Sequence, residues 1–223
     1  NLHKNVNQEI LKKMALAINH RGPDNIGIWL DKNINLGIAH NRLSIIDISK
    51  NGNQPMKTID GRYVIAFNGE IYNHNDLRKE LIKNNWTNGW RGTSDTETLV
   101  TCLQVWGIDK TIEKLNGMFA IAIYDSTLHK LTLTRDRLGI KPLYWAKTIQ
   151  GGIIFASEIK ALLVSGLIDQ ELNWSAGPKY LSLGYVPSPE TLFSGIYKLP
   201  PGHSLTVDPA GAVKIESYWN NEC

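Results

Sequence analysis

The sequence predicts a layered α+β domain of the α/β/β/α kind, and three observations point to it. Strand-like runs fall in two groups, one between Asn25 and Phe67 and one between Met118 and Ala156, with amphipathic helices before and between them. Met118 to Tyr124 is apolar at nearly every position, as for a strand covered on both faces. Ser204 to Val207 and Val213 to Tyr218 read as a closing hairpin.

Asn5 to Asn19 reads as an amphipathic helix. Val6, Ile10, Met14, Ala17 and Ile18 share a face, and Asn5 with Gln8 three residues on resembles a capping box. His20-Arg21-Gly22-Pro23-Asp24 stops it, either as a plain cap and turn or as a loop near a site. Asn25 to Leu30 and Ile34 to Ala39 alternate as strands. Arg42 then sits among apolar neighbours, where a guanidinium fork calls for a planar anion, whether an internal acid or a substrate carboxylate. Gly52-Asn53-Gln54-Pro55 reads as loop.

Tyr63 to Phe67 is strand-like and runs into Asn68-Gly69, a turn signal because both residues tolerate positive φ. An ordinary hairpin is one reading. The other is a pair of donors at a sheet edge, the parts of an oxyanion hole. Asn73 is placed to cap a helix through Asn84 with Leu77, Leu81 and Ile82 inward. Ser94-Asp95-Thr96-Glu97 is a capping box opening a helix to Trp106. Asp95 there suits the helix macrodipole, and it equally offers a carboxylate to a cationic amine. Cys102 lies inside that helix as a small core residue.

Ile112 to Leu115 is a helical turn, and Leu131 to Arg135 returns the strand that ends at Tyr124. Leu143 to Ala146 and Ile153 to Ala156 pair across Gln150-Gly151-Gly152, and Ser157 caps a helix through Val164 closed by Gly166. Trp174 to Leu183 reads as helical, and Pro187-Ser188-Pro189 and Leu199-Pro200-Pro201-Gly202 as rigid turns.

Composition narrows the function classes. Of 223 residues, 42% are hydrophobic and 20% charged, and a net charge of +3 is spread without blocks of one sign. Neither nucleic acid nor an anionic membrane is implied, and no apolar run nears the roughly 20 residues of a membrane helix. Two cysteines, Cys102 and Cys223, make no disulfide framework and suit a reducing, cytoplasmic compartment. The six histidines show no metal-ligand spacing, and there is no Walker-type phosphate loop. The chain starts at Asn1 without Met and stops on Asn220-Asn221-Glu222-Cys223, so both ends read as cuts.

Several stretches together resemble one family. They are His20-Arg21-Gly22-Pro23-Asp24, Ala39 to Asp47, Asn68-Gly69-Glu70-Ile71-Tyr72-Asn73, Ser94-Asp95-Thr96-Glu97, Leu115 to Ala120, Arg135 to Tyr144 and Ala156 to Leu162. The chain resembles the class II glutamine amidotransferase domain of glutamine-hydrolysing asparagine synthetases over nearly its whole length. The resemblance implies an N-terminal-nucleophile hydrolase fold with two stacked antiparallel sheets between helix layers. Residues 1–166 would form the glutaminase domain, and residues 167–223 its end and the lead-in to a synthetase domain.

The resemblance also implies roles. Arg42 would bind the glutamine α-carboxylate, with the backbone of Leu43, Ser44, Ile45 and Ile46 lining the same pocket. Asp95 and Glu70 would hold the α-amino group, and Asn68 with the Gly69 N–H would form the oxyanion hole. No metal or cofactor is expected in this domain, and ATP and Mg are implied for the synthetase domain. The partners implied are glutamine, the C-terminal synthetase domain and, as an option, a second copy in a homodimer.

One feature departs from the family. Its nucleophile is an N-terminal cysteine whose own α-amine serves as base, and residue 1 here is Asn. The short first strand that should carry the cysteine is missing from these residues, and neither Cys102 nor Cys223 is placed to replace it. The chain as written is therefore expected to release no ammonia from glutamine and to be only marginally stable. A degenerate domain that binds glutamine without cleaving it, and an amidotransferase with another acceptor, are the competing readings.

Overall fold

The protein is described here from a computed structural model covering residues 6–44 and 49–220. Helix α1 (Gln8–Ala17) leads, capped by Asn7, whose side chain accepts from the Ile10 N–H. The cap thus lies two residues beyond the expected Asn5, which falls outside the described residues. A hairpin follows, β1 (Asn25–Asp31) and β2 (Leu36–Arg42), antiparallel with Gly27 opposite His40.

Next come a two-residue strand β3 (Met56–Lys57), the long β4 (Tyr63–Ile71), α2 (His74–Lys83), α3 (Asp95–Trp106) and α4 (Ile108–Lys114). The chain returns through β5 (Gly117–Asp125), β6 (Lys130–Arg135), β7 (Tyr144–Lys147), β8 (Ile153–Ala156) and α5 (Ile159–Leu163). It closes with α6 (Gly177–Leu183), β9 (Ile196–Lys198), β10 (His203–Val207) and β11 (Val213–Ser217).

One layer is a six-stranded antiparallel sheet in the order β11-β10-β6-β5-β4-β3. The facing layer has two hydrogen-bonded pieces, the β1-β2 hairpin and a three-stranded sheet β8-β7-β9. Alternation along the strands explains the stacking. Ile65, Phe67, Ile71, Phe119, Ile121 and Ile123 face outward under α2 and α3, where they meet Leu77, Leu81, Leu99 and Leu103. Their alternates face inward: Val64 and Tyr124 meet Ile38 of β2, while Ala120, Ala122 and Leu133 meet Trp145 of β7. Beyond the second layer, Ile10 of α1 and Leu162 of α5 cover Ala146, Ile154 and Ile196. The result is the expected α/β/β/α stack, and the two-sided burial of β5 accounts for its apolar run.

Four local expectations change. Asn68-Gly69 makes no turn, because β4 runs straight through it to Ile71, in register with β5 to Gly117. Neither residue has positive φ. Asn73 makes no side-chain cap on α2; its amide instead bridges to Lys114 O (2.9 Å) and the Asn116 N–H (3.0 Å). Ile82 is exposed rather than inward. Ser157 is not the cap of α5, whose N-cap is Glu158. Strands β3 and β9 fall in stretches to which the sequence reading assigns no element, just after the Gly52-Pro55 loop and just before the Leu199-Gly202 turn. Both are two to three residues long, too short to show a period.

Candidate active site

The layers enclose a cavity of about 1120 Å³ lined by β2, the inner face of β4 and β5, β8, α1 and the start of α3. Every described residue given a role above lies on its wall: Arg42, Leu43, Ser44, Asn68, Gly69, Glu70 and Asp95. Ile45 and Ile46 lie outside the described residues.

Arg42 ends β2 on its inward face, in the alternation Ile38-His40-Arg42. The side chain is 8% exposed, and its Nη1 donates to Ser49 O and to Asn53 Oδ1, both at 2.7 Å. The next segment is tied down from the His20-Asp24 stretch: the Ser44 N–H donates to Asp24 Oδ2 at 2.7 Å. His20 and Arg21 both bond Glu158 Oε1, at 2.9 and 3.1 Å, joining this loop to the start of α5. The pentad is a cap and turn, with a 3-10 turn over Asn19–Arg21 closed by Gly22, and its His20 and Arg21 also line the cavity.

The β4 edge follows from ladder parity. The Tyr72 N–H donates to Asn116 O at 2.8 Å, so the even-numbered residues of β4 exchange bonds with β5. Phe119, opposite Gly69, uses its own N–H and C=O on the other side, toward Asp136. The odd-numbered residues of β4 therefore turn their N–H and C=O groups to the edge away from β5. Tyr63 O takes the Thr58 N–H there, Ile65 lies opposite Met56, and Phe67 is held by the Gln54 side chain. The Ile71 N–H donates to Asp95 Oδ2 at 3.0 Å. Between them the Gly69 N–H meets no acceptor among the described residues.

Asn68 and Glu70 alternate with Gly69 and project their side chains inward, over the cavity. Gly69 is required by close approach. A Cβ built there would lie 2.0 Å from Met118 O and 2.8 Å from Phe119 Cα.

Asp95 is the first residue of α3, after Ser94, whose Oγ accepts from the Glu97 N–H at 3.2 Å. The reciprocal half of the capping box goes elsewhere: Glu97 accepts from the Arg91 and Gly92 N–H groups at 2.7 and 2.9 Å. Asp95 is buried, and each carboxylate oxygen takes one backbone N–H, from Ile71 and from Thr96. A carboxylate has about four lone-pair sites, so room remains for a cationic donor. Burial raises the Asp95 carboxyl above the ordinary carboxylate value. The two N–H bonds and nearby His74 pull it back, while the Glu70 charge pushes it further up. Two acids facing one cavity create a negative field that an ammonium group would neutralise.

A glutamine amidotransferase domain model matches residues 1–219. The chain belongs to the glutamine amidotransferase domain family. It is 40% identical over 212 residues to asparagine synthetase [glutamine-hydrolyzing] 1 of Bacillus subtilis (strain 168), covering 95% of this chain and 32% of that protein. It is 35% identical over 219 residues to amidase chry2 of Gibberella zeae, covering 98% of this chain and 31% of that protein. The domain thus spans about a third of the length of these curated relatives. Among solved structures, glutamine phosphoribosylpyrophosphate amidotransferase from B. subtilis superposes with a TM-score of 0.68 at 18% identity, over 96% of this chain and 47% of that one. That likeness is one of fold.

Two site features escape sequence reasoning. His40 is legible in retrospect, as the polar residue between Ile38 and Arg42 on the inward face of β2. Gln54 carries no local signal, because its partner is Phe67, thirteen residues on, and the bond appears only once β3 and β4 are in register. Among the described residues no group of three His, Cys, Asp or Glu could hold a metal ion, and no helix is long and apolar enough to cross a membrane.

Proposed function

We propose that this amidotransferase domain is the glutaminase half of an asparagine synthetase-like enzyme. It binds glutamine, frees the amide nitrogen as ammonia, and supplies it for ATP-dependent amidation of aspartate by a synthetase domain that uses ATP and Mg. The observation that carries the reading is the Gly69 N–H, a donor at a sheet edge with no acceptor among the described residues, beside the inward-facing Asn68 amide. Two preorganised donors at a cavity wall are what a developing oxyanion needs. Arg42 then takes the α-carboxylate, Asp95 and Glu70 the α-ammonium, and the backbone of Leu43 and Ser44 lines the same pocket. A cytoplasmic setting accords with a free, buried Cys102.

The nucleophile is assigned to a cysteine at the start of a strand, as in the family. Cys102 is unsuited, because burial pushes its thiol up to about 12. The cavity exceeds the roughly 300–1,000 Å³ of a drug-sized ligand site, so a free amino acid leaves most of it unfilled. The remainder, between β2 and β8, suits a strand carrying that cysteine.

The acceptor is the finer part of the proposal. A relative named an amidase, at 35% identity, favours a second reading in which the nitrogen goes to an acceptor other than aspartate. Calorimetric titration of the domain tests the shared core of both readings. L-glutamine should bind and D-glutamine should not. Arg42→Ala should weaken binding roughly ten- to hundredfold, the loss of a charge-assisted hydrogen bond of about 1.5–3 kcal/mol. Equal affinity of wild type and Arg42→Ala would overturn the site.

A further inference from the structure

Three side-chain hydrogen bonds converge on the backbone of one residue, Phe67, two before Gly69. Gln54 Oε1 accepts from the Phe67 N–H at 2.7 Å, and Gln54 Nε2 donates to Phe67 O at 3.1 Å. His40 Nε2 donates to the same oxygen at 3.1 Å. Ladder arithmetic shows what this replaces. Thr58 bonds Tyr63 and Met56 faces Ile65, so the next hydrogen-bonded pair on this edge would set residue 54 against Phe67. The β3 backbone pairing stops at Met56, and the Gln54 amide, with one donor and one acceptor, stands in for the next strand residue.

The surroundings are built for this arrangement. Gly27 of β1 lies opposite His40, and a Cβ on it would fall 1.8 Å from Gln54 O. A glycine there lets the Gln54 backbone reach β4. His40 carries its proton on Nε2, since Phe67 O has only lone pairs to offer. Its Nδ1 is buried with no partner among the described residues. Burial holds the imidazole down at about 4, with the Phe67 bond opposing that shift and the Arg42 charge adding to it. The ring is therefore neutral at ordinary pH and keeps its one proton on Nε2, toward Phe67 O.

Ile65 is met by β3, Phe67 by Gln54 and His40, and Ile71 by Asp95. Among the described residues, the N–H between the last two, on Gly69, is the edge donor of β4 left for a ligand. We propose that Gln54 and His40 act as positioning residues, a clamp on the Phe67 N–H and C=O that fixes the Gly69 N–H where the carboxamide oxygen of glutamine arrives. Neither residue touches the substrate in this account. The inference rests on the glutamine-site reading above and adds the device that aligns its donor. An edge strand held at only one of these points would twist and fray, and a donor that moves by an ångström loses most of its value.

The test is an NMR titration of the labelled domain with L-glutamine, in wild type, Gln54→Met and His40→Phe. In wild type the Gly69 amide resonance should move downfield on saturation. In Gln54→Met the anchors at Arg42 and Asp95 remain, so affinity should fall by no more than about fivefold. The Gly69 response, however, should drop below about half, and the Phe67 amide should exchange roughly tenfold faster while Ile65 stays protected. His40→Phe removes one of two donors to Phe67 O and should give a smaller loss of the Gly69 response. If Gln54→Met fails to fold, His40→Phe decides alone. A full Gly69 response in the folded variants overturns the clamp and leaves the glutamine site standing. No response to L-glutamine anywhere in the wild type overturns the site reading itself, and the clamp with it.

Discussion

Substituting Gly69 separates the strand geometry from the turn that its Asn-Gly dipeptide suggests. At a turn, glycine is needed for positive φ, and Asn substitutes well because its side chain tolerates the left-handed region. In β4 the constraint is space. The new Cβ would sit 2.0 Å from Met118 O and 2.8 Å from Phe119 Cα, more than an ångström inside van der Waals contact with the first. Both obstacles are backbone of a central strand, so no rotamer change relieves them. The flanking pairs, Asn68 with Ala120 and Glu70 with Met118, would have to part. The cost should reach the upper end of overpacking penalties, about 3 kcal/mol. For a domain of this size that lowers Tm by roughly 6–12 °C. Gly69→Ala and Gly69→Asn should suffer alike. Gly61 supplies the contrast, with φ of +74° and nothing within 4 Å of a built Cβ. There Ala should cost about 1–2 kcal/mol and Asn much less. Urea melts of the four variants measure this. A Gly69→Asn domain as stable as wild type would refute the strand account.

Four further outcomes are expected. In an enzyme form that carries the family's N-terminal cysteine, Asn68→Ala should lower kcat with glutamine on the order of 10²–10³ and leave use of free ammonia intact; a change confined to KM would contradict the oxyanion role. Asp95 titrates above the ordinary carboxylate value because it is buried, and an ammonium ligand favours its ionised form. The complex therefore binds fewer protons than the free domain, so L-glutamine affinity should rise as pH climbs through that raised value and fall away below it. Calorimetry across pH should show this slope in wild type, and Asp95→Asn should flatten it. A polypeptide of these 223 residues should release no ammonia from glutamine above a buffer blank, and Cys102 should resist alkylation while the domain is folded.

Sequence periodicity recovered the long elements and failed on short or side-chain-mediated ones. Met118 to Tyr124 betrayed its two-sided burial by composition alone, and Ser94 marked the start of α3 because a cap is a local device. Asn68-Gly69 misled for the same reason. The dipeptide is locally a turn signal, but pairing with β5 overrode that preference, and the need for glycine came from a strand distant in sequence. The donor expected of that glycine survives, through edge parity rather than turn geometry. Arg42 stood out because an apolar setting makes a charged residue conspicuous, and Asp95 because a capping box marks the first turn of α3. Gln54 was not, since a Gln before Pro in an irregular segment means nothing until β3 and β4 are in register.

The most direct test of the whole account is a crystal structure of the domain soaked with L-glutamine. The account places the carboxamide oxygen within hydrogen-bonding distance of the Gly69 N–H and the Asn68 amide, the α-carboxylate on Arg42 and the α-ammonium on Asp95. Glutamine bound in the reverse orientation, or held elsewhere with the Gly69 N–H still unpaired, would contradict it.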